Sequence, residues 1–96
     1  MKPSDALIKH RDAIRAVIFA HHGLNPRVFG STVRGEDTEK SDLDILIDPM
    51  PETTFFDIGA MRRELRSLLG VAVDVLTPKG LPEKIRIEVL SEAVAI

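Results

Sequence analysis

Two aspartates stand one residue apart in the apolar run "DLDILID", Asp42 to Asp48. Apolar strands rarely carry acidic side chains, because burying an unpaired carboxylate is costly. Side chains of a strand alternate between faces, so Asp42 and Asp44 share one face. Leu43, Ile45 and Ile47 take the other, where a helix can cover them. At about 3.3 Å per residue the two aspartates lie roughly 6.6 Å apart along the backbone. Their carboxylates can lean together around a cation. The run "VAVDVLT", Val71 to Thr77, repeats the pattern. Val71, Val73 and Val75 share one face, and Asp74 takes the other with Ala72 and Leu76. If the two strands are neighbours, three carboxylates meet on one sheet face. Three crowded anions repel, so at least one should have a raised pKa. A divalent cation removes that conflict. Carboxylate oxygens suit Mg²⁺, which keeps waters and substrate phosphates as its remaining ligands. Two such ions about 3.5–4 Å apart can clamp an in-line phosphoryl displacement. A plainer reading stands beside this one. Asp42 follows Ser41 and could be a solvated turn former, and Asp48, before Pro49, is read simply as a strand-exit residue.

The second candidate lies upstream. Gly30-Ser31 closes the apolar stretch "RVFG" and opens a polar segment, "STVRGEDTEKS". Glycine lets a backbone approach a ligand closely. The N–H groups of such a turn, with the Ser31 hydroxyl, can hold phosphate oxygens. Taken alone, a Gly-Ser pair is an ordinary turn or cap; its weight comes from its spacing to the aspartates.

The elements that must position these residues follow from local pattern. Ser4 can cap a helix carrying Leu7, Ile14, Val17 and Ile18 at helical period, with Gly23 as its stop. Asn25-Pro26 signals a turn. The segment after Gly30 holds at most one helical turn. Thr53 or Thr54 starts a helix that places Ile58, Met61, Leu65, Leu68 and Leu69 on one side, with Gly70 after it. One of Phe55 and Phe56 is expected in the core. A last helix covers about Pro82 to Leu90, and "EAVAI" can add an extended piece. The order α-β-β-α-β-α predicts an α/β (α+β) sandwich with helices on a mixed sheet of three to four strands. The 96 residues are expected to form a single domain, 1–96.

Composition narrows the function. The formal charge is −2, from 13 basic and 15 acidic residues. A general nucleic-acid binder would be strongly basic. With four Phe and no Trp or Tyr, the chain is also poor in aromatic platforms for stacking bases. There is no cysteine, so thiolate chemistry is excluded. The first residues lack the apolar segment of a signal peptide, and no apolar run reaches membrane-spanning length. A cytoplasmic location without a membrane is the expectation.

Gly30-Ser31, ten residues, then Asp42-x-Asp44 resembles the signature of the polymerase-β-type nucleotidyltransferase superfamily. Within it, "GSTVRGEDTEKSDLDILI" is similar to the minimal nucleotidyltransferases, the MNT family, whose members act as antitoxins to HEPN-domain toxins. The resemblance covers most of the chain and implies the small nucleotidyltransferase fold. It implies that Gly30 and Ser31 hold the terminal phosphates of ATP. Asp42, Asp44 and Asp74 would be the catalytic carboxylates and the ligands of Mg²⁺, as two ions. Asp74 would also orient or deprotonate the attacking hydroxyl. Arg34 either reaches a phosphate or pairs with Glu36 or Asp37. The implied reaction moves AMP from ATP onto a tyrosine hydroxyl of the HEPN toxin, in an assembly of the two proteins. Two other readings compete: a non-catalytic antitoxin that neutralises by binding, and a small-molecule nucleotidyltransferase. The latter would need an acceptor-binding domain for which 96 residues leave little room. His10, His21 and His22 are read as structural, since none falls in a strand beside the aspartates.

Overall fold

A computed structural model describes residues 1–96. The first helix, α1 (Pro3–Ala20), begins at a proline, whose fixed φ suits the first helical position. Lys2, not Ser4, is its N-cap. The Ser4 backbone N–H instead donates to Asp37 Oδ2 at 2.9 Å, so a residue 33 positions away caps the helix. Gly23 does not end α1. The turn is made by His21 and His22, with His22 at φ 64°, and Gly23 opens β1 (Gly23–Phe29). The Asn25-Pro26 signal marks a bulge inside that strand. Leu24 pairs with Asp48 and Arg27 with Leu46, so one extra residue of β1 is accommodated between them. Asn25 takes φ 50° there, and Pro26 has no N–H to miss a partner.

One helical turn follows, α2 (Ser31–Arg34), and then β2 (Leu43–Pro49). Next comes α3 (Phe55–Leu69). Thr54 is its N-cap, with a reciprocal capping box: Asp57 N–H donates to Thr54 Oγ1, and Thr54 N–H donates to Asp57 Oδ2. The backbone hydrogen bond from Thr54, with smaller help from His22, holds Asp57's carboxyl below its ordinary range. Thr54→Ala should cost about 1 kcal/mol, read as a melting temperature lower by about 4–8 °C. The chain continues as β3 (Val73–Leu76), a 3-10 turn at Pro78–Gly80, α4 (Glu83–Glu92) and β4 (Val94–Ala95). The last helix therefore runs two residues beyond Leu90.

The sheet has the order β3-β2-β1-β4. β1 is antiparallel to β2 and β4, while β2 and β3 are parallel. This is the expected mixed sheet, with four strands. Leu43, Ile45, Ile47, Val73 and Val75 form the main core with Ala6, Ile14, Ile18, Met61 and Leu65 of α1 and α3. On the opposite face, Phe29 and Leu46 meet Leu81 and Val89 in a second, small cluster. Neither Phe55 nor Phe56 is core; they are 93% and 89% exposed, because both sit in the first turn of α3, ahead of its buried stripe at Met61, Leu65 and Leu69. Leu68 also turns outward. His21 donates to Glu64 at 2.8 Å and His22 to Asp57 at 3.4 Å, tying the end of α1 to α3. No helix is long and apolar enough to cross a membrane.

Candidate active site

Strand pairing brings the three aspartates together. Asp44 lies in β2 with Phe29 as its partner in β1 and Asp74 as its partner in β3. Neighbouring strands run about 4.8 Å apart, and paired residues point to the same face. Asp42 is the last residue before β2. The loop ahead of it is closed by Ser41, whose N–H donates to the Thr38 carbonyl at 3.0 Å and whose hydroxyl accepts from Thr38 N–H at 2.9 Å. Leu43 N–H donates to the Ala72 carbonyl at 2.8 Å, which pins the start of β2 to the start of β3.

The charges act on one another. Burial, then Asp42, then Asp74 push the Asp44 carboxyl up to about 6, against a smaller opposing pull from Arg34. Asp74 is turned toward its own strand edge. Its Oδ1 accepts from Val75 N–H at 3.0 Å and lies 3.3 Å from Arg62 Nη2 of α3. No three acidic or histidine side chains close into a preformed metal cage.

Gly30 stands directly against Asp44. It adopts φ 78° and ψ −150°, a region open essentially only to glycine. A Cβ there would fall 2.6 Å from Asp44 Oδ2. Ser31 follows as the first residue of α2. Gly30 N–H donates to Glu92 Oε1 at 2.8 Å. Arg34 donates through Nη1 to both Glu92 oxygens, at 3.1 and 3.2 Å, and through Nε to Glu36 at 2.6 Å. Glu36 first and then Glu92 raise the Arg34 pKa. Arg34 is thus paired with Glu36 and Glu92; Asp37 is occupied at the start of α1.

All six residues singled out from sequence lie along the turn and strand starts just described. Three others escape sequence reading: Glu92, Arg62 and Asp37. Each reaches its partner across at least 12 positions, so no local spacing announces it. The largest surface hollow, about 530 Å³, lies against Thr54, Phe55 and Phe56, and none of the aspartates lines it.

Residues 13–96 match the nucleotidyltransferase domain family. The chain belongs to that family. This nucleotidyltransferase is 35% identical over 80 residues to a Methanocaldococcus jannaschii protein provisionally named a protein adenylyltransferase, covering 82% of this chain and 86% of that one. It is 39% identical over 69 residues to the protein adenylyltransferase MntA of Thermococcus cleftensis, covering 72% and 70%. A solved structure provisionally described as a minimal nucleotidyltransferase superposes with a TM-score of 0.86 at 36% identity, over 97% of this chain and 95% of that one. A toxin–antitoxin crystal structure with AMP-PNP superposes at 0.70 over 96% and 70%; at 17% identity that likeness concerns the fold. The expected fold and the nucleotidyltransferase class both stand.

Proposed function

We propose that this nucleotidyltransferase moves AMP from ATP to a tyrosine hydroxyl of a HEPN-family toxin and thereby acts as its antitoxin. The observation that carries the reading is the crowding of Asp44 by Asp42 and Asp74 beside the Gly30 turn. Burial first, and then the like charges of Asp42 and Asp74, raise that carboxyl to about 6, a conflict that a bound cation would relieve. The names of the relatives, protein adenylyltransferases, support the same reaction class.

The donors fit Mg²⁺. They are carboxylate oxygens alone, and a cation would relieve the repulsion that Asp42 and Asp74 exert on Asp44. Asp42 and Asp44 would hold the metal, with Asp74 beside them. When bound, it would neutralise charge on the transferred phosphoryl group and on the leaving pyrophosphate. The Gly30 N–H and the Arg34 guanidinium are donors for the terminal phosphates. The hydroxyl oxygen forms its bond to the α-phosphorus, the α–β bridging bond breaks, and pyrophosphate leaves. The hydroxyl proton goes to Asp74, whose Oδ1 is held by Val75 N–H. A positioned base of this kind contributes about 10²–10⁴-fold.

Intact-mass spectrometry of the neighbouring gene's product, incubated with this chain, ATP and Mg²⁺, tests the proposal. A gain of one or more AMP units is expected. Asp74→Asn should slow that gain by about 10²-fold or more while leaving the melting temperature near that of the parent, since Asp74 is partly exposed. A stable complex with no mass gain would replace transfer by simple binding as the mode of neutralisation.

A further inference from the structure

The two donors assigned above to phosphate already hold an anion, and it belongs to the chain itself. Glu92 Oε1 takes the Gly30 N–H, and both Glu92 oxygens take Arg34 Nη1. The Glu92 side chain is only 20% exposed. Its position is set from both sides. It is the last residue of α4, and two residues later β4 pairs with β1 through Val94↔Val28 and Ala95↔Arg27. The residues from Leu81 onward therefore form a strap across the face of the sheet that carries Asp44.

The strap is lightly fastened. Val89 is the one buried side chain of α4, and Ile85, Ile87 and Leu90 remain exposed. Between the strap and the Gly30 turn lies a cavity of about 180 Å³, lined by Phe29, Gly30, Arg34, Ile85, Val89 and Glu92. Pockets for small molecules usually measure roughly 300–1,000 Å³. A nucleotide triphosphate thus meets a turn whose donors are already taken.

We propose that Glu92 is a built-in competitor for the nucleotide's phosphates, and that the α4–β4 strap must release it from Gly30 and Arg34 before ATP can seat. The proposal rests on the reading above that the Gly30 turn receives ATP. Carboxylate and phosphate make the same charge-assisted hydrogen bonds to an N–H and a guanidinium, so they exclude each other. In a solvent-accessible pair the penalty is modest, and losing it should tighten ATP by about three- to tenfold.

Titration calorimetry with ATP and Mg²⁺ on the parent chain, Glu92→Gln and Glu92→Ala reads this directly. Glu92→Ala should bind ATP about three- to tenfold more tightly, and Glu92→Gln, which keeps size but loses charge, should fall between. Inorganic tripolyphosphate should gain in the same way, whereas adenosine should not. In an Arg34→Ala background the gain should shrink, because one of the contested donors is gone. If Glu92→Ala proves poorly folded, Glu92→Gln alone decides. ATP bound by the parent and no more tightly by a folded Glu92 variant overturns the competitor and leaves the nucleotide site standing. ATP bound by none of the three overturns both.

Discussion

Asp42→Asn/Asp44→Asn should lose AMP transfer by at least about 10³-fold and, at the same time, melt higher than the parent at pH 7. The loss follows from removing the oxygen donors that would hold Mg²⁺. Charge stabilisation of several kcal/mol disappears with them, at about 1.36 kcal/mol per tenfold in rate. The gain in stability has the opposite sign for a reason visible at Asp44. Its carboxyl rises from 3.8 to about 6, through burial first and through Asp42 and Asp74 next. A folded-state pKa above the unfolded one means that the folded chain binds the proton more tightly. Stability from this group is therefore fully present below about 4 and is lost as pH rises through about 6. At pH 7 the ionised carboxylate weakens the fold. Discounted for its half-exposed position, the effect is about 1 kcal/mol, or roughly 4–8 °C in melting temperature for a domain of this size. Thermal melts of parent and variant at pH 7 and pH 4, in chelator, check both points; the gap should close at the lower pH. Mg²⁺ should raise the melting temperature of the parent and leave that of the variant unchanged. A variant that melts lower than the parent at pH 7 would contradict the account.

Gly30→Ala should damage both the fold and the reaction. The backbone at φ 78° and ψ −150° disfavours any Cβ, and the added atom would fall 2.6 Å from Asp44 Oδ2. The strained conformation costs about 1–3 kcal/mol. Relief requires either the turn or the carboxylate to move. Displacing a reacting or metal-holding group by an ångström can cost about 10²-fold in rate, which is the expected fall in transfer. Gly35→Ala separates the two causes. Gly35 also has a positive φ, 72°, but nothing lies within 4 Å of the position its Cβ would take. That variant should lose about 1 kcal/mol of stability from the left-handed backbone alone and keep transfer within a few-fold. Melting curves and kcat/KM for the pair distinguish strain from collision. Equal losses of activity in both variants would show that close contact with Asp44 is not what matters.

The Gly30 collision and the Asp44 repulsion concern residues whose roles are partly written in local sequence. Alternation along "DLDILID" places Asp44 on the face opposite Leu43, Ile45 and Ile47, and the structure buries those three under α1 and α3. The period of Met61, Leu65 and Leu69 likewise predicts the buried stripe of α3. Such patterns are legible because each spans a few residues, within which backbone geometry alone decides which side chains share a face. The boundary errors have local causes too. A proline displaced Ser4 as the start of α1, and the Asn25-Pro26 pair that reads as a turn is absorbed as a bulge because β2 continues alongside it.

The contacts that complete the site were decided by tertiary structure. Nothing in the chain between Asp44 and Asp74 states that β2 and β3 pair in the register that sets them opposite each other; that depends on α3 crossing the sheet and packing its stripe against both strands. Glu92 meets Gly30 across 62 positions, and Asp37 meets Ser4 across 33. Either acid, read in sequence, is one more charge on a polar stretch. The residue types and local faces of this nucleotidyltransferase were determined by its sequence, because they depend on near neighbours. The assembly of its carboxylates, and the Glu92 contact with Gly30 and Arg34, came only from the packing that brings distant strands and the last helix onto one face.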